Sequence, residues 1–147
     1  MRVRRVVRAL LLDGDSLVLL RRTRPDRPVY WTTPGGGIEP EDASPEAALR
    51  RELDEELGAT AGPVRRLFSC AEQERALRRF TTFYVCRLIS MDLSRRHGPE
   101  FSDPANGRYD PDPVRCTPSA LAPINLIPPP LAAYLHTHAA KLPTLVP

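Results

Sequence analysis

The sequence predicts an α/β domain in which β-strands pack with one central and one terminal helix. Three observations carry that expectation. Runs rich in β-branched residues and leucine, bounded by turn signals, recur before residue 35 and again between residues 64 and 89. Segment 45–57 has helical periodicity with a cap signal at each end. The chain has 147 residues, 41% of them hydrophobic and 27% charged, which is ordinary for one globular domain able to bury a core.

Taken in order, residues 6–13 and 16–22 read as two strands joined at Gly14-Asp15, a hairpin signal. Residues 21–28 form a charged loop, and 29–33 a short strand ahead of the glycines at 35–37. After the helix come a turn at Ala61-Gly62-Pro63, a strand over 64–71 and a longer one over 80–89. Residues 91–115 read as loop because Gly98, Pro99, Pro104, Gly107, Pro111 and Pro113 interrupt them. A short helix starts near 119–121, the proline-rich 125–130 is a rigid bend, and 130–141 is the terminal helix. No internal repeat or second domain is evident.

The central helix carries the chemistry. Ser44 suits the N-cap, Pro45 the first helical position, Glu46 the positive end of the dipole and Gly58 the stop. At 100° per residue, Leu49, Leu53 and Leu57 form an apolar stripe, and Glu52, Glu55 and Glu56 gather on another arc. Like charges at i, i+3 and i+4 repel by a few tenths of a kcal/mol per pair. Glutamates near a helix C-terminus also oppose the macrodipole. A cation is the compensating partner, and Mg2+ takes carboxylate oxygens together with substrate phosphates.

Residues 36–59 join this helix to a glycine-rich turn, reading Gly36, then Asp42, then Arg51-Glu52-Leu53-Asp54-Glu55-Glu56-Leu57-Gly58-Ala59. This resembles the box of the Nudix hydrolase family, G-x5-E-x7-R-E-U-x-E-E-x-G-U with U a bulky apolar residue. The Trp31-Thr-Thr-Pro-Gly-Gly-Gly37 lead-in is similar to that family too. Asp42 stands where the family has glutamate, the spacer after it is one residue longer, and Ala59 is small for its position. Asp42 and Glu41 are both open for the first acidic role.

The resemblance implies an α/β/α sandwich with a mixed β-sheet, and a hydrolase acting on diphosphate bonds. Its substrate would be a nucleoside diphosphate linked to another moiety, and its cofactor Mg2+, or Mn2+. It implies Glu55 and Glu56 as metal ligands, Glu52 as a ligand or the base orienting water, the Gly36 carbonyl as a further ligand, and Arg51 as the residue that holds a glutamate. A further carboxylate is expected from a later loop, with Glu100 the first choice and Glu72 and Glu74 the others. Arg21, Arg22 and Arg24 follow the second strand and can reach phosphates, since guanidinium pairs well with them. Trp31, or Tyr84, is the residue that would stack on a base. No residue pattern points to one nucleotide.

Other classes are less well served. Cys70, Cys86 and Cys116 are odd in number and widely spaced, which argues for reduced thiols. Arginines crowd the N-terminus and the net charge is +3, yet no nucleic-acid motif accompanies them, so polynucleotide is not the expected partner. No apolar run has membrane-span length and the first residues carry charge where a signal core would lie, so a cytoplasmic protein is expected. A homodimer is left open. The rival to an enzyme is a nucleotide-sensing domain of the same fold without catalysis.

Overall fold

The computed structural model describes residues 2–101 and 103–147. Eight strands form one sheet system: β1 (Arg2–Asp13), β2 (Ser16–Arg24), β3 (Arg27–Thr32), β4 (Gly35–Gly37), β5 (Ala59–Ala61), β6 (Arg65–Glu74), β7 (Leu77–Met91) and β8 (Arg108–Arg115). Helix α1 (Pro45–Leu57) stands between β4 and β5, and α2 (Pro118–Leu121), α3 (Pro129–His138) and α4 (Leu142–Leu145) close the chain. The main strand order is β3-β2-β1-β7-β5, with β4 added to β1, β6 to β7 and β8 to β2. The sheet is mixed, because β1 and β7 run parallel from Arg2↔Leu77 to Leu12↔Arg87 while the other pairs are antiparallel.

Alternation along β1 builds both cores. Val7, Ala9 and Leu11 join Leu49, Leu53 and Leu57 of α1 in one buried cluster. Leu10 and Leu12 join Phe83, Leu131 and Leu135 in another, so α3 covers the opposite face. Fully buried leucines contribute roughly 2 kcal/mol each. The outcome is the expected sandwich of helix, sheet and helix. No helix among the described residues is long and apolar enough to cross a membrane.

Helix α1 has the predicted limits. Ser44 caps it by accepting from the Ala47 N–H at 3.0 Å, and Gly58 ends it in the left-handed region at φ 56°. Four expectations are corrected. The glycines at 35–37 pair with β1 as a strand, through Val6↔Gly37, Val7↔Gly36 and Arg8↔Gly35. Ala61, expected in a turn over 61–63, instead ends strand β5, which pairs with the end of β7. The proline-broken segment before Cys116 is strand β8, not loop. Pro111 and Pro113 lie two residues apart opposite Leu20 and Val18, so both nitrogens face the same way, outward from β2, where no donor is needed. The terminal helix also stops at His138, and a 3-10 turn (Ala139–Lys141) separates it from α4.

Candidate active site

Helix α1 and the glycines of β4 bring the acidic residues together. Glu52 and Glu56 are only 9% and 6% exposed, buried on α1 along with its leucines, while Glu55 is half-buried. Gly36 packs directly on the Glu52 carboxylate, and a Cβ there would overlap it. At Gly35, φ is 149° and a Cβ would strike the Val7 carbonyl, so this position also demands glycine. Its N–H donates to Glu56 Oε1 at 2.6 Å.

Arg51 organises the rest. Its Nε and Nη2 donate to both oxygens of Asp42 at 2.9 and 2.8 Å, its Nη2 also to the Gly37 carbonyl at 3.0 Å, and its Nη1 to Glu52 at 3.1 Å and Glu55 at 3.3 Å. Of the two early acids, Asp42 is the one that the Arg51 fork reaches, and Glu41 is exposed. The Arg51 hydrogen bonds, with the Glu39 N–H behind them, hold the Asp42 carboxyl down at about 2. Asp42 in turn raises the Arg51 guanidinium above its ordinary value. Glu52, Glu55 and Glu56 all lie within α1, which begins at Pro45 after the Ser44 cap.

The loop after β7 closes over the helix end. Arg96 Nε donates to the Glu56 carbonyl at 2.6 Å and the His97 N–H to the Glu55 carbonyl at 2.9 Å, satisfying acceptors that a helix C-terminus leaves open. Arg96 also donates to the Tyr109 carbonyl and sits 4.5 Å from the Phe101 ring. Glu100 follows, and oxygens of Glu52, Glu55 and Glu100 lie within 4.8 Å of one another. Such a convergence of hard carboxylate donors fits a divalent cation. Glu56 is outside that trio, turned toward Gly35 and Arg8. Burial pushes its carboxyl up to about 8, against the pull of Arg8 and the Gly35 N–H. Burial also raises Glu52, with Arg51 opposing.

Beside the acids lies a cavity of about 500 Å3, lined among others by Gly36, Arg4, Arg8, Arg27, Arg79, Tyr30, Glu72 and Glu74. Arg8 projects from the middle of β1, its Nη1 donating to the Thr33 carbonyl at 2.6 Å. Burial lowers its pKa, countered first by Glu56 and then by Glu52. A charged residue inside the apolar run Val6-Val7-Arg8-Ala9-Leu10 was the signal in the sequence for this group.

Arg21, Arg22 and Arg24 do not line this cavity. Arg22 is buried, donating to the carbonyls of Asn106 at 2.7 Å and Arg108 at 3.4 Å, with its guanidinium 3.4 Å from the Tyr109 ring centre. Arg21 is exposed and lies 5.9 Å from the Trp31 ring, while Arg24 approaches Asp26 at 3.8 Å. Trp31 is also directed elsewhere: its Nε1 donates to Asp112 at 2.8 Å, and its neighbours Tyr30 and Thr32 line the cavity instead. Tyr84 packs against the α1 core. Glu72 and Glu74 lie on the cavity wall rather than with the acidic trio.

Comparison with known proteins identifies the family and the fold. The NUDIX domain family model matches residues 2–112. The RNA pyrophosphohydrolase of Acidiphilium cryptum (strain JF-5) is 44% identical over 55 residues, which is 36% of this chain. That match spans about a third of the relative's length, 33%. Among solved structures, a NUDIX hydrolase from Nitrosomonas europaea superposes with a TM-score of 0.74 at 17% identity, over 96% of this chain and 92% of that one. The MutT NUDIX hydrolase from Burkholderia pseudomallei gives 0.63 at 18% identity, over 97% and 98%. These two likenesses establish the fold alone. The E. coli ORF135 protein is similar at 25% identity with a TM-score of 0.60, over 95% and 91%.

Proposed function

Because the chain belongs to the Nudix hydrolase family, we propose that it is a divalent-cation-dependent pyrophosphohydrolase, with Mg2+ or Mn2+ as cofactor, that cleaves a nucleoside diphosphate linked to another moiety. The observation that carries this reading is the convergence of Glu52, Glu55 and Glu100 within 4.8 Å beside an arginine-lined cavity. A bound cation there would neutralise phosphate charge and lower the pKa of water. Glu52, Glu55 and Glu100 are the side chains to hold it, with Glu56 and the Gly36 carbonyl as the further ligands the family resemblance implies.

The remaining work falls to the chain's own groups. Arg4, Arg8 and Arg79 bind the phosphates, replacing water around them with fixed donors. Arg51 keeps Glu52 and Glu55 in position through Nη1. Water attacks one phosphorus, the bridging P–O bond breaks, and Glu52 or Glu100 takes the water's proton. We read all 147 residues as one domain, since Leu131 and Leu135 share a core with Leu10 and Phe83. The three free thiols suit a reducing, cytoplasmic setting.

A second substrate reading is favoured by the similarity to an RNA pyrophosphohydrolase, and it qualifies the expectation against polynucleotides. The test is release of phosphate or pyrophosphate from nucleoside triphosphates, nucleotide sugars, ADP-ribose, dinucleoside polyphosphates and 5′-triphosphorylated RNA, with Mg2+ and with chelator. Turnover that needs metal and falls in Glu100→Gln upholds the reading. Silence across the panel with nucleotide binding retained would favour a non-catalytic sensor.

A further inference from the structure

The cavity is lined by charges that the protein does not pair. Among the described residues, Arg4, Arg8, Arg27, Arg79, Glu72 and Glu74 all border it and none takes part in an ion pair. This is not for want of proximity along the sheet. Arg4 lies opposite Arg79 on β7, and Arg79 lies opposite Glu72 on β6, so three charged residues form one row across three strands. Glu72 is half-buried on the wall, and Glu74 is exposed at the rim, opposite Leu77.

Position separates the two signs. Gly36, against the Glu52 carboxylate, is on β4, which pairs with β1 at Val7. From β4 across β1 and β7 to β6 is three strand spacings, about 14 Å. The arginines of β1 and β7 therefore stand between the metal end and the glutamates. A nucleotide has the same polarity, with phosphates at one end, a base edge at the other and a ribose between.

A carboxylate accepts hydrogen bonds and offers none when ionised. Guanine presents two parallel donors, N1–H and the 2-amino group, that match its two oxygens. Adenine and cytosine set a ring-nitrogen lone pair beside their single amino group, and uracil flanks its one N–H with carbonyls. Hypoxanthine keeps N1–H but lacks the 2-amino donor. Tyr30, buried with the Arg27 guanidinium 4.2 Å from its ring centre, lines the same cavity as the arginines of β1 and the 127–129 segment.

We propose that Glu72, with Glu74 beside it, is a specificity-determining residue that reads the N1–H and 2-amino edge of guanine, making guanosine nucleotides the substrate class. This inference rests on the nucleotide reading above and narrows it. The experiment compares GTP, ITP and ATP by kcat/KM in Mg2+, and GDP, IDP and ADP by equilibrium binding, in the wild type, Glu72→Gln and Glu74→Gln. A site built around a donor pair should prefer GTP over ITP and ATP by about tenfold or more, and Glu72→Gln should reduce that ratio to within about threefold. Glu72 is on an edge strand and half-exposed, and thermal unfolding of each variant checks that the fold is kept. Equal rates across the bases, or a preference unchanged in both variants, overturns the assignment. Absence of turnover with a guanine preference in binding would sink the proposed hydrolysis and support the base assignment.

Discussion

The two ends of the site handle charge in opposite ways. Around Arg51, charges satisfy one another: one guanidinium reaches Asp42, Glu52 and Glu55 as well as the Gly37 carbonyl. Across the cavity, Arg4, Arg79 and Glu72 stand in a row without an ion pair among the described residues. The first arrangement is a scaffold, because its members restrain each other before any ligand arrives. The second waits for a ligand. Charges without an ion-pair partner contribute little to stability, so their value lies in what they bind.

Substitutions at the scaffold should therefore act on turnover, and those in the cavity on affinity. The largest effect is expected for Glu52→Gln, which removes a charge from the convergent trio: kcat should fall by more than about 100-fold, above what outer residues of a metal site cost. Steady-state kinetics with a circular-dichroism check of folding would decide it, and near-normal kcat would remove Glu52 from the machinery.

Next comes Arg51→Lys. A lysine keeps the charge but cannot make the fork to Asp42. A loss of about 10- to 100-fold in activity, with weaker activation by Mg2+, is expected. Full activity in the lysine variant would show that charge alone suffices.

Arg79→Ala probes the other region. KM for a phosphate-rich substrate should rise about tenfold while kcat changes much less, reflecting loss of one charge-assisted contact. A fall in kcat with KM unchanged would place Arg79 on the scaffold side instead.

The smallest effect is on stability. Folding raises the Glu56 carboxyl from 4.5 to about 8, because burial penalises its charged form. Between those values the folded protein binds more protons than the unfolded chain, so this contribution is complete below pH 4.5 and is lost as pH rises through 8. In chelator, the melting temperature should drop by on the order of ten degrees between pH 5.5 and 8.5. Mg2+ should restore more of it at the higher pH. A metal-free melting temperature that rises over this range would contradict the burial of Glu56.

Helix α1 was legible residue by residue, since Ser44, Pro45 and Gly58 act on their immediate neighbours. The same locality made the acidic arc visible. Strand β8 was hidden because proline is read as a breaker unless an edge position is known, and that depends on β2. The expected phosphate ligands Arg21, Arg22 and Arg24 illustrate the limit. Nothing local distinguishes them from Arg4 and Arg79, yet Arg22 is drawn into the carbonyls of the 106–108 segment, some eighty residues away in sequence.

By itself, the sequence determined the α/β class, the limits of α1, the acidic residues it carries and the membership those residues announce, because capping, periodicity and spacing operate within a few residues. Only the tertiary structure decided that Asp42 rather than Glu41 meets Arg51, that Glu100 reaches Glu52 and Glu55, and that Tyr30 rather than Trp31 faces the cavity. Those choices depend on strand register and loop closure, where a shift of one residue turns a side chain to the opposite face.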